Sequence, residues 1–234
     1  MVTDKLVAYH EAGHILMSRL IGRTKQAEVK RSSGKVTTEF SDDVAQRLTE
    51  EKYSLKKCIE RRGYSWSLSE IKDLVEKYPA LSLYIDLNLA GIAATFIYLN
   101  RKKANTRLTQ DFPIWGIGAD EDIKNVFKLF GLYESRSESD LYRAVDKLIG
   151  ERILNLTQTF SALYLEELNH LANDLMNYGT LSNSVIEESI TNTLRSAKIK
   201  DTFSEIWSWI SNFFPLFILV VAIIIFILFW LKKC

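Results

Sequence analysis

The stretch AYHEAGHILMSRLIG, residues 8–22, decides the reading of this chain. Residues 3–21 read as a helix. Thr3 suits the N-cap, Leu6, Val7, Ile15, Leu16, Leu20 and Ile21 supply apolar faces, and Gly22 can stop it. On such a helix His10 and His14, four residues apart, share one face a turn from each other. Two imidazoles so placed can hold one metal ion, and Glu11 beside the first can take a proton from a water on that ion. Zinc suits these donors and brings the pKa of its water toward neutrality. Two of the three histidines of the whole chain fall in this five-residue run, which sets it apart from a chance HExxH on an amphipathic helix. Gly13 costs about 1 kcal/mol inside a helix, so another backbone is expected to approach there. A zinc site also needs a third protein ligand. Residues 15–20, ILMSRL, do not supply one, and Asp111, Asp120, Glu121, Asp122, Glu166, Glu167 and His170 all stay open on composition alone.

Outward from this helix the chain is mainly helical. Two β-rich runs in QAEVKRSSGKVTTEF, residues 26–40, flank Ser32-Ser33-Gly34 and predict one small hairpin. Residues 42–62 read as a very polar helix, and 68–77 as a short one ended by Pro79. Residues 81–99 form an apolar helix, read as core and not as a ligand pocket, and 101–115 a loop with Pro113. Residues 118–130 predict another helix, and 137–178 one long helical stretch ending at Gly179. Residues 182–194 close the part before the apolar end. No internal repeat appears.

Composition narrows the function. Lysine and arginine number 30 against 29 acidic residues, for a formal charge of +1, so there is no bulk basic surface and nucleic acid is not the expected partner. Cys58 and Cys234 are the only cysteines, which excludes a disulfide scaffold and a cysteine zinc site. The run FFPLFILVVAIIIFILFWL, residues 213–231, holds no charge. As a helix it covers about 28 Å, close to a bilayer's hydrocarbon core. Trp207, Trp209 and Trp230 flank it as interfacial anchors, and Lys232 and Lys233 can reach headgroups. The opening residues carry charges and histidines where a secretory leader is apolar. The expectation is therefore a C-terminal tail anchor, with the preceding domain in the cytoplasm, although the two terminal lysines favour the reverse orientation.

AYHEAGHILMSRLIG resembles the start of the peptidase domain of the FtsH family, the membrane-bound ATP-dependent zinc proteases. The likeness extends further. AEVKRSSGKVTTEF sits where that family has its hairpin, and LAGIAATF, residues 89–96, resembles the family's glycine-rich LGGRAAEE helix. GADEDI, residues 118–123, resembles its GASNDI-like segment, and LEELNHLANDLMNYGTLSNSVIEE its closing helices. The resemblance implies that Asp122 is the third zinc ligand beside His10 and His14, with Glu11 as the catalytic base. It implies an FtsH-like zinc metallopeptidase domain over residues 1–196, while the apolar run read above sets an interfacial linker over 197–212 and a transmembrane helix over 213–231, a C-terminal anchor where that family is anchored through its N-terminus. The fold class expected is thus mainly α, a helical zinc-peptidase domain with one small β-hairpin plus the terminal span.

Departures from that family matter. No GxxxxGK[ST] occurs, since the only Gly-Lys pair, Gly34-Lys35, runs on into Val36, so the expected activity needs no ATP. The family's paired glutamates after the alanines are here Thr95 and Phe96, and residues 42–80 and 100–115 look longer than their counterparts. Glu167 and His170, in ExxH spacing, read as a solvated helix face. Lys56, Lys57, Arg61 and Arg62 read as another, with Glu50, Glu51 and Glu60 as partners or, alternatively, as contacts to anionic lipid. Arg101, Lys102, Lys103 and Arg107 allow the same two readings. The expected function is a membrane-anchored, ATP-independent zinc metalloendopeptidase for flexible or unfolded protein segments, with one zinc ion and substrate laid along an edge of the hairpin. Which strand offers that edge stays open. The alternative is a catalytically silent membrane adaptor that binds a protein partner, and a ring of copies is implied by the resemblance.

Overall fold

The computed structural model describes residues 4–19, 21–30, 33–101, 119–132 and 139–191 (for Asn100 and Arg101 the backbone only). The expected loop at 101–115, all but its first residue, lies outside them, as do Asp111, the linker at 197–212 and the apolar run at 213–231. The described architecture belongs to one unit, Met1–Ile190.

Its centre is α1 (Asp4–Ser18). The sequence suggests separate apolar faces, but α1 is buried nearly all round, His10 and Glu11 included. Helix α4 (Pro79–Arg101) covers one side of it and α7 (Leu165–Tyr178) another, while the sheet covers a third. The approach of α1 to α4 is set by small residues. A Cβ at Gly13 would stand 2.8 Å from the Ala90 carbonyl carbon and 2.8 Å from the Ala94 side chain, which is the close backbone the sequence asks for. Pro79 does not merely end the preceding helix, α3 (Leu68–Glu76). It is the first residue of α4, where its missing N–H is no loss. Among the described residues α4 is the one helix long and apolar enough to cross a membrane, yet 72% of that stretch is buried inside the fold, and it serves as the core helix.

Strands β1 (Gly22–Lys30) and β2 (Ser33–Phe40) pair antiparallel, as the hairpin reading requires. Gly34, however, lies in β2 opposite Val29 rather than in the turn. A third strand, β3 (Thr180–Ser182), adds to the other side of β1 to give the order β2–β1–β3. Three residues are too few to carry a period, so the sequence does not announce it. Gly179, at φ 70°, ends α7 and turns the chain into β3, and its carbonyl accepts from Val29 N–H at 2.8 Å.

Helix α2 (Asp42–Arg62) is the polar helix expected, buried at Leu48, Leu55 and Ile59. It meets α4, where Glu51 Oε2 accepts from Leu81 N–H at 2.7 Å and so satisfies one of the open amides at the start of α4. Helix α5 (Ala119–Leu129) packs on α4. The long helix expected over 137–178 is two helices, α6 (Asp140–Leu163) and α7, broken at Tyr164. Helix α6, buried at Leu141, Val145 and Leu148, packs on α3 and α4, while α7, buried at Leu168, Leu171 and Leu175, packs on α1. One straight rod cannot serve both surfaces. Residues 183–191 form a last helix, α8.

Candidate metal centre

His10 and His14 leave the same face of α1, and Asp122 comes from the first turn of α5. His10 Nε2 lies 3.0 Å and His14 Nε2 3.3 Å from Asp122 Oδ2, and the two Nε2 atoms are 3.1 Å apart. One donor atom from each residue lies within 4.8 Å of the others. Donors about 2.0–2.1 Å from a tetrahedral zinc stand about 3.3 Å from each other, so this triangle has the size that a zinc ion, or a close relative, requires.

The tautomer supports the same use. His14 Nδ1–H donates to the Leu87 carbonyl oxygen at 2.8 Å, which leaves Nε2 with its lone pair turned toward Asp122. The two Nε2 atoms and the Asp122 carboxylate converge on one point, an arrangement that a cation placed among them would satisfy. In the metal-free chain a proton does this. Burial disfavours a charged His14, yet the hydrogen bond and charge of Asp122 outweigh it and raise His14 to about 9. Burial wins at His10 and lowers it. Asp122 falls to about 2, because bonds from both imidazoles overcome the desolvation of its carboxylate.

Glu11 faces the same space. It is only 4% exposed, and burial raises its carboxyl to about 7, with the charge of Asp122 adding to the effect and that of His14 opposing it. Its room comes from β2, since a Cβ at Gly34 would stand 2.7 Å from the Glu11 carboxyl carbon. Gly91 of α4 leaves space under the imidazoles in the same way. The cavity in front of these groups measures about 380 Å³. Its walls include Val36, Thr38 and Phe40 of β2, Tyr84, Leu87 and Asn88 of α4, and Glu121.

The structure thus brings His10, Glu11, His14 and Asp122 together. Of the other carboxylates weighed for the third position, Glu121 is drawn to Lys128 Nζ at 2.9 Å. Glu167 is buried in α7, which corrects its reading as part of a solvated face, His170 is exposed, and neither these nor Asp120 and Glu166 join the group. Reading residues 81–99 only as core is corrected, because one face of α4 supplies Leu87 and Gly91 to the imidazoles and Tyr84 and Asn88 to the cavity wall. The resemblance of LAGIAATF, with its single Gly91, to a glycine-rich helix is the signal for this. Gly34 carried no signal beyond a turn preference. The basic cluster on α2 is partly paired, with Lys56 3.8 Å from Glu60 and Arg62 bound to Glu70. Set against known proteins, the chain matches no family model and no curated protein.

Proposed function

We propose that the chain is a zinc-dependent endopeptidase that cleaves flexible or unfolded protein segments, held at a bilayer by residues 213–231. The observation that carries this reading is the triangle of His10, His14 and Asp122 donors with the buried carboxylate of Glu11 facing the same cavity. His10, His14 and Asp122 would hold the ion. Bound there, zinc supplies Lewis acidity for a carbonyl oxygen and makes a water acidic enough to ionise near neutral pH.

The chain's own residues do the rest. Glu11, poised near neutrality by burial, takes a proton from water on an Oε atom and later gives it to the leaving amine nitrogen. Strand β2 is an edge of the sheet, and its outer side has no strand partner among the described residues. Its residues Gly34, Lys35, Val36, Thr38 and Phe40 line the cavity. An extended peptide added to that edge runs past Glu11, with its backbone held by strand hydrogen bonds. Such a mode requires the substrate to be straight, which favours unfolded segments. Hydrolysis of a peptide bond is downhill and the chemistry itself needs no nucleotide. The lengthy uncharged run at 213–231 supports the bilayer anchor.

The test compares the purified full chain with Glu11→Gln and Asp122→Ala for zinc content and casein cleavage. One zinc per chain and chelator-sensitive cleavage are expected. Glu11→Gln should keep the metal and lose cleavage, and Asp122→Ala should lose the metal. Stoichiometric zinc without cleavage of any unfolded substrate would favour the adaptor instead.

A further inference from the structure

A second cavity, of about 610 Å³, lies between the C-terminal half of α2 and the C-terminal end of α5. Lys52, Lys56 and Lys128 line it against one carboxylate, Glu60. Two side-chain pairs join it to the metal-site cavity. Lys52 Nζ stands 4.0 Å over the ring of Tyr84, and Lys128 Nζ donates to Glu121 Oε1 at 2.9 Å. Tyr84 and Glu121 both wall the metal-site cavity, so the two spaces adjoin.

The three cations are not equivalent. Lys128 is neutralised by Glu121, and Lys56 has Glu60 at 3.8 Å. Lys52 is half-buried and has no carboxylate in ion-pair reach among the described residues. The Tyr84 face compensates its charge only in part, and an ammonium drawn from water gains when an anion completes it. From Asp122 to Lys128 the helix advances about 9 Å, a distance that an extended chain covers in about three residues.

We infer that this second cavity is a subsite of the same cleft, taking an acidic substrate side chain about three residues from the bond cleaved, with Lys52 as its anchor. The inference rests on the endopeptidase reading above. A peptide is the occupant that fits best, because it alone fills both cavities at once, whereas a lipid headgroup has no use for the metal-site half.

A panel of internally quenched peptides tests it on the zinc-loaded full chain. A single glutamate is moved through four positions on each side of the cleaved bond, with glutamine peptides as controls. One position, about three residues away and on one side only, should be cleaved about three- to tenfold faster with glutamate. Lys52→Gln should bring that ratio to about one, and Lys52→Glu should turn the preference toward lysine. A flat panel, or a preference that survives Lys52→Gln, overturns the subsite. Anisotropy of the labelled glutamate and glutamine peptides on zinc-loaded Glu11→Gln reads the subsite without cleavage. If the wild-type chain cleaves none of the peptides, tighter binding of the glutamate peptide to Glu11→Gln keeps the subsite and removes the endopeptidase, while equal binding removes the subsite. If Lys52→Gln instead weakens binding to phosphatidylserine vesicles and leaves the peptide ratio unchanged, the cavity is a lipid site and the inference fails.

Discussion

Gly91 stands so close beneath His10 and His14 that a Cβ there would lie 2.6 Å from the Nε2 atoms of both rings. Two imidazoles from α1 reach one point only because the facing turn of α4 has no side chain. Gly91→Ala isolates this relationship. Helix propensity favours alanine by about 1 kcal/mol, so secondary structure gives no reason for harm. The rings must still move. Zinc affinity should fall by about tenfold or more in competition with a chromophoric chelator. Wild-type affinity in Gly91→Ala would show that the rings do not need this space.

Gly34 plays the matching part for the base. A Cβ at that position would stand 2.5 Å from Glu11 Cγ, so Gly34→Ala pushes the carboxylate without touching a proposed ligand. Zinc content should be unchanged while kcat drops by about a hundredfold, the scale of a displaced general base. Loss of metal together with activity would place the effect on the imidazoles instead.

How much of this was legible in the sequence follows from the range of each signal. His10, Glu11 and His14 show themselves because a helix fixes their spacing locally. Gly13 shows itself because an uncompensated helix glycine asks for a neighbour, and Ala90 is that neighbour. Asp122 sits over a hundred residues away and no local pattern points to it; only the resemblance of GADEDI selects it. The break at Tyr164 is silent because no glycine or proline marks it, and the need to cover two differently oriented surfaces makes it. Gly34 reads as a turn residue since the register that places it opposite Val29, and beneath Glu11, is a property of the assembled sheet.

A structural ion pair lies outside the metal-site cavity. Arg152 of α6 reaches Asp86 of α4 through both carboxylate oxygens, at 3.1 and 3.3 Å, and the two side chains are 21% and 15% exposed. Removing one partner leaves a largely buried charge alone. Arg152→Met should cost about 2 kcal/mol by urea denaturation, less than a fully buried pair because some water reaches it. Adding Asp86→Asn should recover much of that loss. An unchanged urea midpoint in Arg152→Met would mean that the pair holds nothing together.

Glu11 links pH to both stability and catalysis, and the signs differ. In the metal-free chain burial raises its carboxyl to about 7, against about 4.3 in an unfolded chain. The folded state therefore holds this proton more tightly than the unfolded state, and stability falls as pH climbs from about 4.3 through 7. Glu11→Gln has no such proton. With zinc stripped by chelator, the variant should melt above wild type at pH 8, and the two should converge near pH 4.5, where the wild-type carboxyl is protonated when folded. Catalysis runs the other way, since the base must be ionised to accept a proton. The kcat/KM of the zinc form should rise with pH to a plateau, with its acid limb at or below about 7, because a nearby cation favours the carboxylate. A metal-free wild type that melts above Glu11→Gln at pH 8 would show that desolvation does not govern this carboxylate, and the poised base would go with it.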